Sequence, residues 1–488
     1  MRRKIIYFLL FSILLLSAFV RLYRVDKLLG FWYDQGRDAL VIWDLLYNKK
    51  FFLIGPTTGI EGIFKGPLYY YLITPFYWLG KGSPVMVAAF LSWLSVAAIF
   101  LIYYLTAKIY DQRTGLLAAL LYGFSFENVM FARWLSEPNA VQFFAVLTMV
   151  FLYKAIKENE NYLIPAAFVI GLCLHLEAAV EIFFLPMLII IVFWQRAKLL
   201  KLKLLVLTAL AFLITLIPQL LFDLRHHGVL TKAFIKFLFM EKSFNPSFSN
   251  IFAQRMSLYC NVFFEKVFPV NQDLRVLAAC LLLISLVAYR KKIFNEGGKL
   301  LLIFLAVPLI GLLFYRGNNY YVWGYYFSSL IPAFTILLAV VAVRLFQRGI
   351  ITKMLLLILF LVFVITNLQN FQSYFKTGRG ISLQTQLKAI DWIYKDAAGQ
   401  DFNADFYVPP KIYYAYTYLF RWYGKSKYGR EPVEKRIKLL YTLSEPDSWN
   451  PNFLADWYKR QDGIGKVTEK YFWGDISVER RQRIKFYD

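Results

Sequence analysis

The sequence predicts an all-α polytopic membrane protein of about eleven spans, followed by a small extracytoplasmic α/β domain. Three observations carry that prediction. The 488 residues are 59% hydrophobic and 18% charged, where soluble domains are about 45–50% apolar and about 25% charged. The apolar residues gather in runs of roughly bilayer-crossing length, about 17–25 residues. Basic residues punctuate those runs on alternate sides.

The spans are expected at 5–23, 84–107, 114–131, 138–154, 162–174, 177–194, 203–222, 274–289, 300–315, 325–343 and 353–369. Leu68 to Leu79 is rich in Tyr and Trp and suits a half-span or an interfacial helix. With eleven spans, Arg2, Arg3 and Lys4, Lys108 and Arg113, Lys154 and Lys157, and Arg196, Lys198, Lys201 and Lys203 all fall on one side. Arg290, Lys291, Lys292, Arg344, Arg348 and Lys353 join them. Positive residues stay inside, so that side is cytoplasmic. This accounts for part of the +24 net charge and makes anionic lipid, rather than nucleic acid, the basic partner. The first run lacks a small-x-small cleavage site before Arg21 and is read as a retained anchor. Cys173, Cys260 and Cys280 form no disulfide framework, and His175, His226 and His227 give no zinc spacing with them.

The topology leaves 24–66, the turn 132–137, the loop 223–273 and everything after about 370 outside. The last piece, 371–488, is charged and aromatic. Leu383, Leu387, Ile390 and Tyr394 recur at helical spacing, predicting a helix over 382–397. Ala404 to Val408 reads as a strand stopped by Pro409-Pro410, and Ile412 to Trp422 as a helix.

Two outside stretches carry the candidate chemistry. In "DQGRD", Asp34 and Asp38 are one helical turn apart with Arg37 between them. The plainer reading makes Asp34 a helix N-cap and Asp38 a solvated or paired residue. In "GPTTGIEGIFKGPLYYYLITPF", Glu61 and Lys65 lie in a glycine- and proline-rich turn just before the membrane. A cation there can meet a headgroup-level phosphate, or can simply snorkel.

In this order, with "ARWLSEPNA", "GLCLHLEAAVEIFFLP" and "GYYFSSLIPAFTILLA" following, the chain over about 1–370 resembles the GT-C fold glycosyltransferases. These include the protein mannosyltransferases and the aminoarabinose transferases of lipid A, and the likeness is greatest to the bacterial dolichyl-phosphate-mannose–mannosyltransferase-like branch. The resemblance implies a sugar moved, with inversion, from a polyprenyl-phosphate donor to an envelope lipid, glycan or protein acceptor, at the outer face of a bacterial cytoplasmic membrane. It implies a catalytic carboxylate at Asp34. Many members have Asp-Glu where this chain has Asp34-Gln35, so either Asp38 or Glu61 stands in for the second acid or this branch needs none. Arg37, Lys65, Arg133 and Arg316 are the candidates for the donor phosphate. His175, Glu177, Tyr320 and Tyr325 are the candidates for the sugar or lipid pocket. No cofactor is required, and a divalent metal is not favoured. A transporter or flippase of a lipid-linked substrate is the alternative reading, although no repeat between two halves supports it.

Overall fold

The computed structural model describes residues 3–237, 247–269, 272–378 and 380–486, with the Asn318 side chain also left out. The loop 223–273 therefore lies partly outside the described residues. The chain is a helical multi-pass membrane protein with a C-terminal domain that contains β-structure.

Among the described residues, Arg3–Leu22, Pro84–Ile109, Glu137–Lys157, Gly324–Phe346 and Ile350–Thr377 are long and apolar enough to cross a bilayer. Two bent pairs raise the number from 5 to 7: Gln112–Phe124 with Phe126–Ala132, bent by 65°, and Leu202–Thr215 with Ile217–Arg225, bent by 56°. Among the described residues, then, 5 to 7 of the expected eleven runs are helices long and apolar enough to span. The other apolar runs do form helices, but Leu163–Leu176 has 14 residues and Phe184–Trp194 has 11. At ~1.5 Å per residue they fall short of the ~30 Å hydrocarbon layer. Hydropathy does not register helix breaks. Ser125 ends one helix and caps the next by accepting from the Asn128 N–H. Pro218 sits in the first turn of the second bent partner. Leu68–Leu79, at 12 residues, is a short helix that buries Tyr69, Tyr70, Ile73 and Tyr77.

A charged residue holds the first span in place. Arg21 is fully buried, donating to the Gly123 carbonyl at 2.8 Å and to Ser95 Oγ at 3.2 Å. These bonds tie Arg3–Leu22 to Pro84–Ile109 and Gln112–Phe124, as an ion inside a membrane domain requires.

The C-terminal domain has four strands, β1 (Asn403–Tyr407), β2 (Leu439–Ser444), β3 (Gly465–Trp473) and β4 (Ile476–Arg483), in the order β1-β2-β4-β3. β1 and β2 are parallel and the other pairs antiparallel. The expected helix over 382–397 is Leu383–Asp396, capped by Ser382. The expected strand over 404–408 is β1. The helix expected over 412–422 is Tyr414–Leu419 with a wider turn after it.

This domain clamps the loop and helix that follow the first span. The Leu383 N–H donates to the Leu29 carbonyl at 2.7 Å and Gln386 Nε2 to the Phe31 carbonyl at 2.9 Å. Gln386 is held by Glu445 Oε1, which also accepts from Tyr416 Oη at 2.7 Å. Tyr418 Oη and Trp422 Nε1 donate to the carbonyls of Gly82 and Lys81. At Gly36 the helix Tyr33–Asn48 meets the backbone of Tyr414 and Ala415 so closely that a Cβ would lie 2.3 Å from the Ala415 nitrogen.

That contact is backbone and cannot rotate away. Gly36→Ala is expected to force the two helices apart at a cost of about 1–3 kcal/mol, read as a lowered melting temperature in detergent and faster proteolysis near 378–382. An unchanged melting curve and cleavage pattern would show that the clamp is not tight in solution.

Candidate functional site

The helix Tyr33–Asn48 starts at Trp32, not at Asp34. The Trp32 N–H donates to Gln35 Oε1 at 3.1 Å, and Gln35 Nε2 donates to the Leu135 carbonyl at 3.0 Å. Gln35 is therefore a structural brace between the segment after the first span and the turn at 135. Asp34, second in the helix, does not serve as its N-cap. Its side chain is 38% exposed and lines a cavity of about 870 Å³.

Arg37 bridges the two aspartates. Its Nη1 lies 2.7 Å from Asp34 Oδ1 and its Nη2 2.8 Å from Asp38 Oδ1. Asp38 is buried behind it and also accepts from Tyr70 Oη at 3.1 Å. Burial raises the Asp34 carboxyl above the ordinary aspartate range, with Arg37 opposing. Asp38, more deeply buried, is pushed up to about 7, and Arg37 only partly offsets that rise.

Lys65 reaches the same cavity by a different route. Residues 55–66 form a tight hairpin in which Gly55 N–H donates to the Lys65 carbonyl at 2.8 Å and Lys65 N–H to the Pro56 carbonyl at 3.0 Å. Position 66 must be glycine, because a Cβ there would sit 2.3 Å from the His175 ring. The Lys65 ammonium is held by Glu137 Oε1 at 2.8 Å and Glu177 Oε2 at 2.9 Å. Ser136 Oγ donates to Glu137, and the amides of Ala178 and Ala179 donate to Glu177. Burial alone would lower the lysine pKa, but the two glutamates outweigh it and hold the ammonium above its usual range. An ammonium has three N–H donors, so with two on carboxylates one is left for a ligand.

Asp34, Arg37, Lys65, Glu137, Glu177 and Arg316 line the cavity together with Tyr33, Trp134, Tyr315, Trp323, Tyr325 and Tyr326. Other expected site residues lie elsewhere. Glu61 is exposed in the hairpin and does not line the cavity. His175 stands behind the Lys65-Gly66 turn as a packing surface. The Tyr320 carbonyl accepts from Arg255. Arg133 lines a separate cavity of about 250 Å³. Among the described residues no three His, Cys, Asp or Glu side chains are grouped to hold a metal ion. Glu137 was not singled out from sequence. Its signal was the "SEP" step, an acid at the start of an apolar helix where the helix dipole favours it.

Residues 64–222 match the family described as dolichyl-phosphate-mannose-protein mannosyltransferase. That stretch contains Lys65, Glu137 and Glu177 but not Asp34. No curated protein matches the sequence. In overall structure the chain is similar to ArnT from Cupriavidus metallidurans bound to undecaprenyl phosphate, with a TM-score of 0.65, 11% identity and 98% of each chain covered. For apo ArnT the TM-score is 0.61, with 10% identity and 97% of each chain covered. The apo Archaeoglobus fulgidus oligosaccharyltransferase gives a TM-score of 0.50 at 12% identity, over 87% of this chain and 64% of that one.

Removing Lys65 leaves two buried carboxylates without a counter-charge. Lys65→Met is therefore expected to destabilise the protein by about 3–5 kcal/mol, and adding Glu177→Gln should restore part of the loss. Thermal melts of the purified variants check this, and a Lys65→Met melt equal to wild type would contradict the buried triad. The chain is a multi-pass membrane protein of the GT-C fold.

Proposed function

We propose that this protein moves a sugar from a polyprenyl-phosphate donor to an envelope lipid, glycan or protein acceptor on the outer face of the cytoplasmic membrane. The observation that carries the reading is that Asp34, Arg37 and Lys65 share the wall of one cavity of about 870 Å³. A fold shared with a structure that holds undecaprenyl phosphate supports it. We read 1–370 as the transferase domain and 371–488 as an extracytoplasmic domain. The short apolar helices complete an eleven-pass topology with the N-terminus inside.

The acceptor oxygen attacks the anomeric carbon from the face opposite the phosphate. Its proton passes to Asp34, whose part-exposed carboxylate lines the cavity. The bond from that carbon to the phosphate oxygen breaks, and the electron pair leaves with the lipid phosphate, so the anomeric centre inverts. Arg37, Lys65 and Arg316 meet the growing phosphate charge. A leaving phosphate monoester needs no general acid. Trp323 and Tyr325 offer aromatic faces for the sugar.

Asp34→Asn keeps the size of the side chain and should fold normally while transfer falls about 10²–10⁴-fold. Asp38→Asn, behind Arg37, should lose less. The assay is transfer from a synthetic prenyl-phosphate sugar by monodisperse protein, and wild-type turnover by Asp34→Asn would remove that residue from the mechanism. The topology has its own test at Lys459, whose side chain is 81% exposed in the C-terminal domain. Lys459→Cys should react with an impermeant thiol reagent in intact cells, above the background of the unmodified protein. Labelling only after lysis would place the domain inside.

A further inference from the structure

The charge bias that orients membrane spans does not account for Lys81. It stands three residues before Pro84–Ile109, a helix long and apolar enough to cross a bilayer, and Lys108 marks the other end. Basic residues collect at one end of a span when they only set its direction.

The face beneath Lys81 is apolar and uncovered. Met86, Trp93 and Phe100 are all exposed and lie seven residues apart, about two helical turns each, so they form one stripe down the helix. A Cβ at Gly80 would lie 2.9 Å from Met86 Cγ, so the Lys81 turn rests on the head of that stripe. Trp78, 68% exposed, and Leu79 end the preceding helix beside the same turn. An exposed apolar stripe on a spanning helix meets acyl chains, and tryptophan near its end suits the headgroup level.

The C-terminal domain brings further cations to this turn. Trp422 Nε1 donates to the Lys81 carbonyl at 2.8 Å and Tyr418 Oη to the Gly82 carbonyl at 2.6 Å. Lys425, three residues after Trp422, falls on the same helical face. Arg421 stands near Asp44. Burial would raise that carboxyl, but the hydrogen bonds from Lys50 and Asn48 and the charges of Lys50 and Arg421 bring it below the ordinary aspartate range. Asp44 thus answers Lys50 at 3.0 Å, and Glu431 answers Arg421 at 3.7 Å. Lys81 and Lys425 are exposed, and among the described residues no carboxylate pairs with either.

We propose that the Lys81 turn and Lys425 bind an anionic phospholipid, with an acyl chain along Met86, Trp93 and Phe100 and the head-group phosphate against the two ammonium groups. Charge complementarity selects the head: a zwitterionic lipid brings no net charge to two cations. The apolar stripe selects a lipid over a soluble anion. The bound lipid joins the membrane domain to the C-terminal domain where Trp422 and Tyr418 already bond to residues 81 and 82. The site does not depend on the glycosyl-transfer reading.

The test uses the full-length protein in phosphatidylcholine nanodiscs that carry a trace of photoreactive phosphatidylglycerol or of phosphatidylcholine with the same reactive chain. Cross-linked peptides are mapped by mass spectrometry. In wild type the phosphatidylglycerol probe should label residues 84–100 in excess of the phosphatidylcholine probe. Lys81→Asn suits the left-handed backbone at that position, where φ is 49°. It should cut the excess about fivefold, the worth of one charge near an anionic membrane surface. Adding Lys425→Gln should remove most of the rest, and Lys81→Arg should keep the excess. Labelling near Lys154 and Lys157, at the other end of the domain, should not change. Salt tests the site without any variant: in wild type the excess should vanish at about 1 M, where charges are screened beyond about 3 Å. Equal labelling of 84–100 by the two probes, an excess that survives both substitutions, or one that persists at high salt would each overturn the site.

Discussion

The site depends on a lysine held between two buried glutamates. Lys65, Glu137 and Glu177 come from three separate elements: the 55–66 hairpin, the first turn of Glu137–Lys157 and the end of Leu163–Leu176. None of these ions is stable alone at its depth. Desolvation would exceed what any single pair returns unless the remaining donors and acceptors are also satisfied. Here Ser136 and the amides after Glu177 satisfy them. The close approach of His175 to Gly66 sets how deep the hairpin sits, and so where the ammonium reaches the cavity.

The opposite wall is set by contacts from outside the membrane domain. Gln386 and the Leu383 amide grip the backbone at 29–31, and Ala415 seats against Gly36. The helix that carries Asp34 and Arg37 is thus pinned between the Leu135 turn and the C-terminal domain. That domain forms part of the support for the site.

Much of this was legible in the sequence where one physical signal acts locally. Helical periodicity placed Leu383–Asp396 within a residue of its bounds, and a short β-rich run ended by two prolines placed β1. The repeated apolar runs gave the membrane class, and "DQGRD" gave the Asp34–Arg37–Asp38 cluster. Non-local outcomes were not legible. Hydropathy counts apolar residues and not helix ends, so it did not show the bends at Ser125 and near Pro218 or that Leu163–Leu176 and Phe184–Trp194 have only 14 and 11 residues. Spacing put Glu61 beside Lys65, yet the partners of Lys65 are 72 and 112 residues away in the chain. Asp34 as an N-cap was a fair local reading; Gln35 takes over that end of the helix by bonding to the backbone on both sides.

The central claim is that the cavity beside Lys65 and Arg37 receives a lipid-linked phosphate. An experimental structure of the full chain in nanodiscs with undecaprenyl phosphate tests it most directly. The account predicts phosphate density within about 2.7–3.2 Å of Lys65 Nζ and the Arg37 guanidinium, with Asp34 facing the adjoining space. Phosphate density seen only outside that cavity, with Lys65 still bonded to Glu137 and Glu177 alone, would contradict it.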